Sequence, residues 1–276
     1  MTLNEFIKEF QNILVKKGIK NPLYFVGNII SKIDNIPLSK ILIEKDFEIK
    51  EELLNKLKKI IIEEYPVEYI TKKVVFFNGE FYVDEHVLIP RIETEDLIKI
   101  AIDIIKENNY KTIIDIGTGS GVIAIILKKY FPNLIVYGID ISEDALKIAN
   151  YNAKLHNVSI QFIKSDILKD ITYDIIKDAD FIISNPPYVE TDFYFQNKAL
   201  HFEPKIALEA GKDGQSFFLN LSYNYPDILK SKHFIFETTE FNIDKTKLLL
   251  SKFGKVKIYK DSFGINRFIE KLPWRD

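Results

Sequence analysis

From Lys111 onward the chain alternates short apolar runs with amphipathic stretches, and this alternation restricts the fold more than anything else in the sequence. Residues 112–115, 134–140, 159–163, 181–184 and 233–237 read as strands, and helices are predicted to start near Gly121, Ser142, Gly214 and Asn242. Strands joined by helical crossovers lie parallel, and a sheet built this way is covered by helices on both faces. The end of the chain breaks the pattern. Residues 256–260 and 267–270 are joined by a segment too short for a crossover helix, so these two strands should pair antiparallel. The expected class is α/β, an open sheet that ends in an antiparallel hairpin.

Before the alternation the period is different. Leu3, Phe6, Ile7, Phe10, Ile13 and Leu14 recur at helical spacing behind a Thr2/Glu5 capping box. Leu53, Leu54, Leu57, Ile60 and Ile61 repeat the pattern on a segment rich in lysine and glutamate. Pro22, Pro37 and Pro66 separate the apolar runs, and Lys56, Lys58 and Lys59, set among acidic neighbours, read as a solvated face. Between Lys73 and Val87 the period falls to two. Residues 74–77 and 81–83 flank Asn78-Gly79, which predicts a hairpin turning at that pair. The expected division is a helical domain at 1–72, a hairpin linker at 73–90 and an α/β domain at 91–276.

Composition narrows the function. With 276 residues, 46% hydrophobic and 28% charged, the chain can bury a sizeable core and lacks the signature of disorder. Its apolar runs, such as 122–127, are too short to cross a bilayer. Glu5, Lys8 and Glu9 interrupt the start where a secretion signal would be apolar, so a cytoplasmic location is expected. The absence of cysteine excludes disulfides, thiolate zinc sites and a cysteine nucleophile. A formal net charge of −2 gives no general pull toward nucleic acid. His86, His156, His201 and His233 are scattered without ligand spacing, and no metal is expected.

The segment Asp115-Ile116-Gly117-Thr118-Gly119-Ser120-Gly121 follows one strand and opens a helix. Glycines there let the backbone turn sharply and approach a ligand closely. Asp140 ends the next strand, where a carboxylate accepts hydrogen bonds from ribose hydroxyls. Together they point to an adenosine-containing ligand. The dinucleotide fingerprint fails because Val122 takes the place of its third glycine, and no Gly-Lys-Ser/Thr follows for a phosphate-binding loop. The loop resembles the first motif of class I methyltransferases, whose ligand is a sulfonium amino acid. The alternative is a loop that only makes a tight strand-to-helix turn. Asp166, after the third strand, is a candidate acceptor for an adenine amino group, or a solvated strand-end carboxylate.

After the fourth strand comes Ser184-Asn185-Pro186-Pro187-Tyr188. The Asn185 side-chain oxygen and the Pro186 carbonyl are both acceptors, so one NH₂ group can donate to both. The prolines restrict the backbone, and Tyr188 can pack on a flat substrate group. An amide nitrogen is a poor nucleophile because its lone pair is delocalised. Two acceptors hold its hydrogens aside, favour positive charge developing on nitrogen and aim the lone pair at a methyl donor. The bland alternative is a proline-rich turn that merely ends a strand.

These residues resemble a known family. The four-residue loop is similar to that of amino-group methyltransferases acting on adenine, cytosine or glutamine. Nearly the whole chain resembles the protein-(glutamine-N5) methyltransferases that modify peptide-chain release factors. The matching segments are Tyr69-Ile70, Val87-Leu88-Ile89-Pro90-Arg91 with Glu93-Thr94-Glu95, Phe202-Glu203-Pro204, Ala207-Leu208 and Gly211-Lys212-Asp213-Gly214. Near the end, Lys260-Asp261-Ser262-Phe263-Gly264 is followed by Arg267-Phe268.

The resemblance implies a class I methyltransferase, Rossmann-like fold, with a small N-terminal helical domain that helps to hold the protein partner. It implies methyl transfer from S-adenosyl-L-methionine, leaving S-adenosyl-L-homocysteine, to the glutamine of a Gly-Gly-Gln motif in a release factor. It sets Gly117, Thr118, Gly119, Ser120, Gly121, Asp140 and Ile167 against the cofactor, with Asp166 alongside. Asn185 then touches cofactor and substrate, and Asn185, Pro186, Pro187 and Tyr188 hold the glutamine, with Asn185, Pro186 and Tyr188 as the catalytic set. No contact with nucleic acid or membrane is implied, and a monomer is expected.

Other readings are a ribosomal-protein glutamine as acceptor, an adenine-N6 nucleic-acid methyltransferase, and a non-catalytic adenosine-binding module. Near-neutral charge and the Phe-Glu-Pro segment count against the nucleic-acid enzyme, and a binding module has little reason to keep Asn185. The chain departs from the family at Ile92, where a proline is usual, at Thr71-Lys72, where a glycine is common, and at Thr238-Thr239, in place of Ile-Gly. Arg91, Glu93 and Glu95 fit either a gate to the cofactor pocket or a salt-bridge network between domains.

Overall fold

The computed structural model describes residues 1–44 and 47–274. The chain divides into two compact units, Met1–Lys73 and Val74–Asp276.

The first unit is helical: α1 (Leu3–Lys16), α2 (Pro22–Asp34), α3 (Leu38–Ile43), α4 (Glu51–Glu63) and α5 (Val67–Thr71). The capping box at α1 is complete, with the Glu5 amide donating to Thr2 Oγ1 at 3.2 Å and the Thr2 amide donating to Glu5 Oε2 at 2.7 Å. Pro22 occupies the first turn of α2, where its missing N–H costs nothing, so this proline starts a helix as well as ending a loop. Leu3, Phe6, Phe10 and Leu14 of α1 pack with Val26 and Ile30 of α2 and with Leu53, Leu57 and Ile61 of α4. Each such side chain contributes about 1.5–3 kcal/mol on burial. Of the expected lysine face, Lys56 pairs with Glu52 at 2.6 Å and Lys59 stands 3.5 Å from the centre of the Tyr65 ring. Lys72 ends α5 in a left-handed conformation (φ 56°), the backbone state that glycine adopts most cheaply.

In the second unit a hairpin of β1 (Lys73–Phe76) and β2 (Gly79–Tyr82) precedes a seven-stranded sheet. The sheet comprises β3 (Thr112–Ile116), β4 (Ile135–Asp140), β5 (Gln161–Lys164), β6 (Phe181–Ser184), β7 (His233–Glu237), β8 (Val256–Lys260) and β9 (Asn266–Lys271). Their order is β5-β4-β3-β6-β7-β9-β8. Pairing is parallel from β5 through β7 and antiparallel at β7–β9 and β9–β8. Every residue of β3, β6 and β7 is buried, as a sheet covered on both faces requires. One face packs on α6 (Glu93–Asn108) and α7 (Val122–Tyr130), with α8 (Glu143–Leu155) beside them; the helices at Ser216–Asn224 and Ile243–Leu250 cover the other. The third strand of the α/β region begins at Gln161, two residues later than its apolar run.

The hairpin turns one residue earlier than the Asn-Gly pair predicts. Phe77 (φ 48°) and Asn78 (φ 59°) take the two left-handed positions of the turn, and Gly79 opens the second strand. Tertiary contacts decide this. The Phe77 amide donates to Glu95 Oε1 at 2.8 Å, and the Phe77 ring meets Tyr130 edge-on. A Cβ at position 79 would lie 3.0 Å from His156 Cε1, so this glycine serves close approach, not the turn.

Candidate active site

The C-terminal ends of β3, β4 and β6 open on one cavity of about 290 Å³. Its lining includes Gly117, Gly119, Asp140, Asp166, Ile167, Asn185, Pro186 and Pro187, residues the sequence singles out from four separate stretches. Thr118, Ser120, Gly121 and Tyr188 are not on the lining. A second cavity, of about 600 Å³, lies at the opposite end of the sheet between Tyr110, His233, Gly254 and Trp274, far from these loops.

The glycine loop is shaped by backbone. Gly117, Gly119 and Gly121 all have positive φ, of 70°, 54° and 84°. An added Cβ would meet no atom within 4 Å at Gly117 and only a carbonyl at 4.0 Å at Gly119, so these two face open space. At Gly121 it would lie 3.1 Å from Ala149 Cβ, because α7 and α8 approach closely there. Thr118 turns inward, its hydroxyl donating to Asp115 Oδ2 at 2.6 Å. The Ser120 carbonyl accepts from Asn152 Nδ2 at 2.9 Å.

Carboxylates define the electrostatics. Asp140 Oδ2 accepts from the Gly119 amide and Oδ1 from the Ser142 amide, both at 2.9 Å, which fixes the carboxylate at the cavity edge. Burial raises its pKa. Asp115 lies fully buried under the loop; burial pushes its carboxyl up to about 7, and its Oδ1 has no hydrogen-bond partner. Among the described residues that line the cavity there are Asp140, Asp166 and Glu209, but no lysine or arginine. Such a set of acceptors suits a cationic ligand with hydroxyls, and the lining supplies no cationic Lys or Arg side chain to a pyrophosphate. Ile167 carries a further mark. A β-branched side chain at φ 56° costs of order 1–3 kcal/mol, and the strain sits at the cavity wall.

The Asn-Pro-Pro-Tyr loop is held by side chains. Asn185 Nδ2 donates to Thr94 Oγ1 at 3.1 Å. The Thr94 hydroxyl donates to Glu237 Oε2 at 2.8 Å, and Tyr188 OH donates to Glu237 Oε1 at 3.0 Å. One buried carboxylate at the end of β7 thus ties both ends of the loop. Burial pushes Glu237 up to about 7, against the pull of its two hydroxyl donors and of Arg267. Burial, reinforced by Glu237, also holds the Tyr188 phenol well above its usual pKa. Downstream, the Val189 amide donates to the Leu208 carbonyl and the Ala210 amide to the Val189 carbonyl, each at 2.8 Å, stitching the exit of the loop to the 208–210 segment. Gly214 (φ 67°) is needed beneath it, since a Cβ would come within 2.5 Å of the Tyr188 carbonyl.

Arg91 forms an ion pair with Glu203, whose other oxygen accepts from the Ile89 amide at 3.0 Å. The Ile-Pro-Arg and Phe-Glu-Pro segments therefore dock on each other, and Pro204 reaches the cavity. With Glu95 on the Phe77 amide, the recorded partners of Arg91 and Glu95 all lie in the second unit. Thr94 and Glu237 are the residues that the sequence reading leaves without a role. Their signals are a threonine three residues before Leu97 on the buried side of α6, and a carboxylate closing a wholly buried strand. Nothing in the structure explains the hydroxyls of Thr238 and Thr239, which are buried without partners.

Residues 96–233 match the family described as methyltransferase small domain. Among curated proteins, the chain is 37% identical to the release factor glutamine methyltransferase of Dictyoglomus turgidum, over 81% of this chain and 82% of that protein. It is 33% identical to the protein of the same name in Flavobacterium psychrophilum, over 96% of each. Among solved structures, the catalytic domain of hMettl16 in complex with a MAT2A 3'UTR hairpin superposes with a TM-score of 0.59 over 93% of each chain at 15% identity, a likeness of fold alone.

Proposed function

The chain belongs to the release factor glutamine methyltransferase family, and we propose that it transfers a methyl group from S-adenosylmethionine to the side-chain amide nitrogen of a release-factor glutamine. The observation that carries this reading is the meeting of two loops in one cavity. Gly117, Gly119 and Asp140 border the space that Asn185 and Pro186 also border.

The residues fit the cofactor. The open faces of Gly117 and Gly119 and the fixed carboxylate of Asp140 suit a ribose and a cationic amino acid. When bound, S-adenosylmethionine supplies an electrophilic methyl on a positively charged sulfur. Asp140 would hold the ribose hydroxyls and Ile167 would flank the adenine. Asn185 Oδ1, the carboxamide atom not engaged by Thr94, and the Pro186 carbonyl would accept the two N–H bonds of the substrate amide. Those acceptors stabilise positive charge developing on nitrogen and orient its lone pair. Tyr188, off the lining but anchored through Glu237, would brace the loop that presents Asn185 and Pro186 to the amide. The acceptor that the family resemblance implies is the glutamine of a Gly-Gly-Gln motif, and a narrow loop of this kind suits one planar amide on an exposed segment. The helical unit at 1–72 would contribute to holding the intact partner.

The test is incubation of the pure protein with isotopically labelled S-adenosylmethionine and a release factor, followed by mass spectrometry. Label on the Gly-Gly-Gln glutamine is expected. Label confined to a ribosomal protein or to nucleic acid would overturn the reading.

A further inference from the structure

We infer that Thr94 and Glu237 are positioning residues that set which end of the Asn185 carboxamide faces the substrate. This rests on the proposed glutamine methylation. A carboxamide has two ends of nearly equal shape and opposite hydrogen-bonding sense. Turned over, Asn185 would offer a donor where the substrate's own NH₂ needs an acceptor.

The sense is imposed from the buried end. In its ionised form, the one present above its raised pKa of about 7, Glu237 has only lone pairs to offer, so both hydroxyls that reach it then donate. Thr94 Oγ1, having spent its proton on Glu237, meets Asn185 as an acceptor, and Asn185 must present Nδ2 to it. Oδ1 is then left outside the chain of bonds. The turned-over state would set Oδ1 against the Thr94 lone pairs and leave a buried hydroxyl oxygen without its donor. Every link lies on a different element: Asn185 after β6, Thr94 in the first turn of α6, Glu237 at the end of β7. Both Thr94 and Glu237 are buried, at 3% and 1% exposure, so water cannot substitute for a missing partner. Burial, with Glu93, works against the ionised carboxylate, while the Thr94 and Tyr188 hydroxyls and Arg267 favour it, so the ordered sense belongs to the enzyme above about pH 7.

Thr94→Val keeps the shape of the side chain and removes the hydroxyl. It should lower the single-turnover rate on release factor by roughly 10- to 100-fold, the scale of one buried hydrogen bond to a charged network, while S-adenosylmethionine affinity by calorimetry changes less than about twofold. Thr94→Ser should restore most of the rate. Glu237→Gln should be mild, within roughly fivefold, because its amide oxygen can still accept from Thr94 while its NH₂ turns to the Tyr188 oxygen. The deciding measurement is a double-mutant cycle. In an Asn185→Ala background, Thr94→Val should cost no further rate, since there is no carboxamide left to orient. An undiminished loss in that background would show that Thr94 acts through general structure and would overturn the inference. A wild-type enzyme that fails to label release factor would instead overturn the functional reading on which the inference rests.

Discussion

The glycine loop and the Asn-Pro-Pro-Tyr loop follow neighbouring parallel strands, β3 and β6, yet they are held in opposite ways. The first takes its shape from three positive-φ glycines and from backbone amides that reach Asp140 and Ile139. Its tolerance for change is set by Cβ space. The second has no glycine, and its position depends on hydroxyls and a carboxylate contributed by residues 91 and 49 positions away in sequence. A backbone-shaped loop announces itself in local sequence. A loop positioned by side chains announces its own residues but not its supports.

The comparison is broken most severely at Asn185. Asn185→Ala should reduce kcat by about 10²–10³, comparable to losing a preorganised polar group at an oxyanion site, while binding of the protein partner changes much less. Wild-type rates in a single-turnover assay would remove the carboxamide from the chemistry. On the glycine side, Asp140→Ala should weaken S-adenosylmethionine binding by roughly 1.5–3 kcal/mol, and calorimetry on the folded variant decides it.

A sharper contrast lies within the glycine loop itself. Gly121→Ala meets Ala149 at 3.1 Å as well as an unfavourable φ, and should cost about 1–3 kcal/mol of stability. Gly117→Ala, with open space around the new methyl, should cost no more than about 1–2 kcal/mol and should lose cofactor affinity instead. Urea titration beside binding curves separates the two. If both variants lose stability equally, the Cβ-space argument fails.

The smallest effect is electrostatic. Asp115 and Glu237 are both held up to about 7, against ordinary values of 3.8 and 4.5. Between those limits the folded protein binds more protons than the unfolded chain, so these two groups make the unfolding free energy fall as pH rises through that window. Around Glu237 stand Thr94, Tyr188, Arg267 and Glu93, and Asp115 feels Asp140. Glu237→Gln should flatten the pH dependence of the urea midpoint between about pH 5 and 8; an unchanged slope would place Glu237 with the ordinary carboxylates.

The same contrast explains what could be read in advance. The alternation of strands and helices, the closing antiparallel pair and the residue types of both loops follow from local periodicity and side-chain chemistry. The hairpin turn was displaced by one residue because Glu95 and His156, distant in sequence, decide what Phe77 and Gly79 do. Thr118 and Ser120 look like lining residues in a linear motif, but alternate side chains of a tight loop turn inward. Thr94 and Glu237 stayed without a role because the direction of a hydrogen bond is fixed only once three elements have closed on one another.

The placement of β9 between β7 and β8 has a consequence for how the sheet is assembled. Strand β8 is synthesised first, but the edge it pairs with is β9, which does not yet exist. Docking order is therefore the reverse of synthesis order. In the interval β7 presents an open edge with an apolar centre, Phe234 to Phe236, next to a newly made strand of compatible character. The competing product is a sheet in which β8 has taken the place of β9, and it would leave Arg267 and Phe268 outside the register that pairs Glu237 with Phe268. Lys257 of β8 pairs with Glu270 of β9 at 3.1 Å, so the outermost strand gains this ion pair only once β9 is in place. The slot beside the site-bearing strand is thus filled by the last strand made, and the outermost strand gains its pairing partner only when that slot is filled.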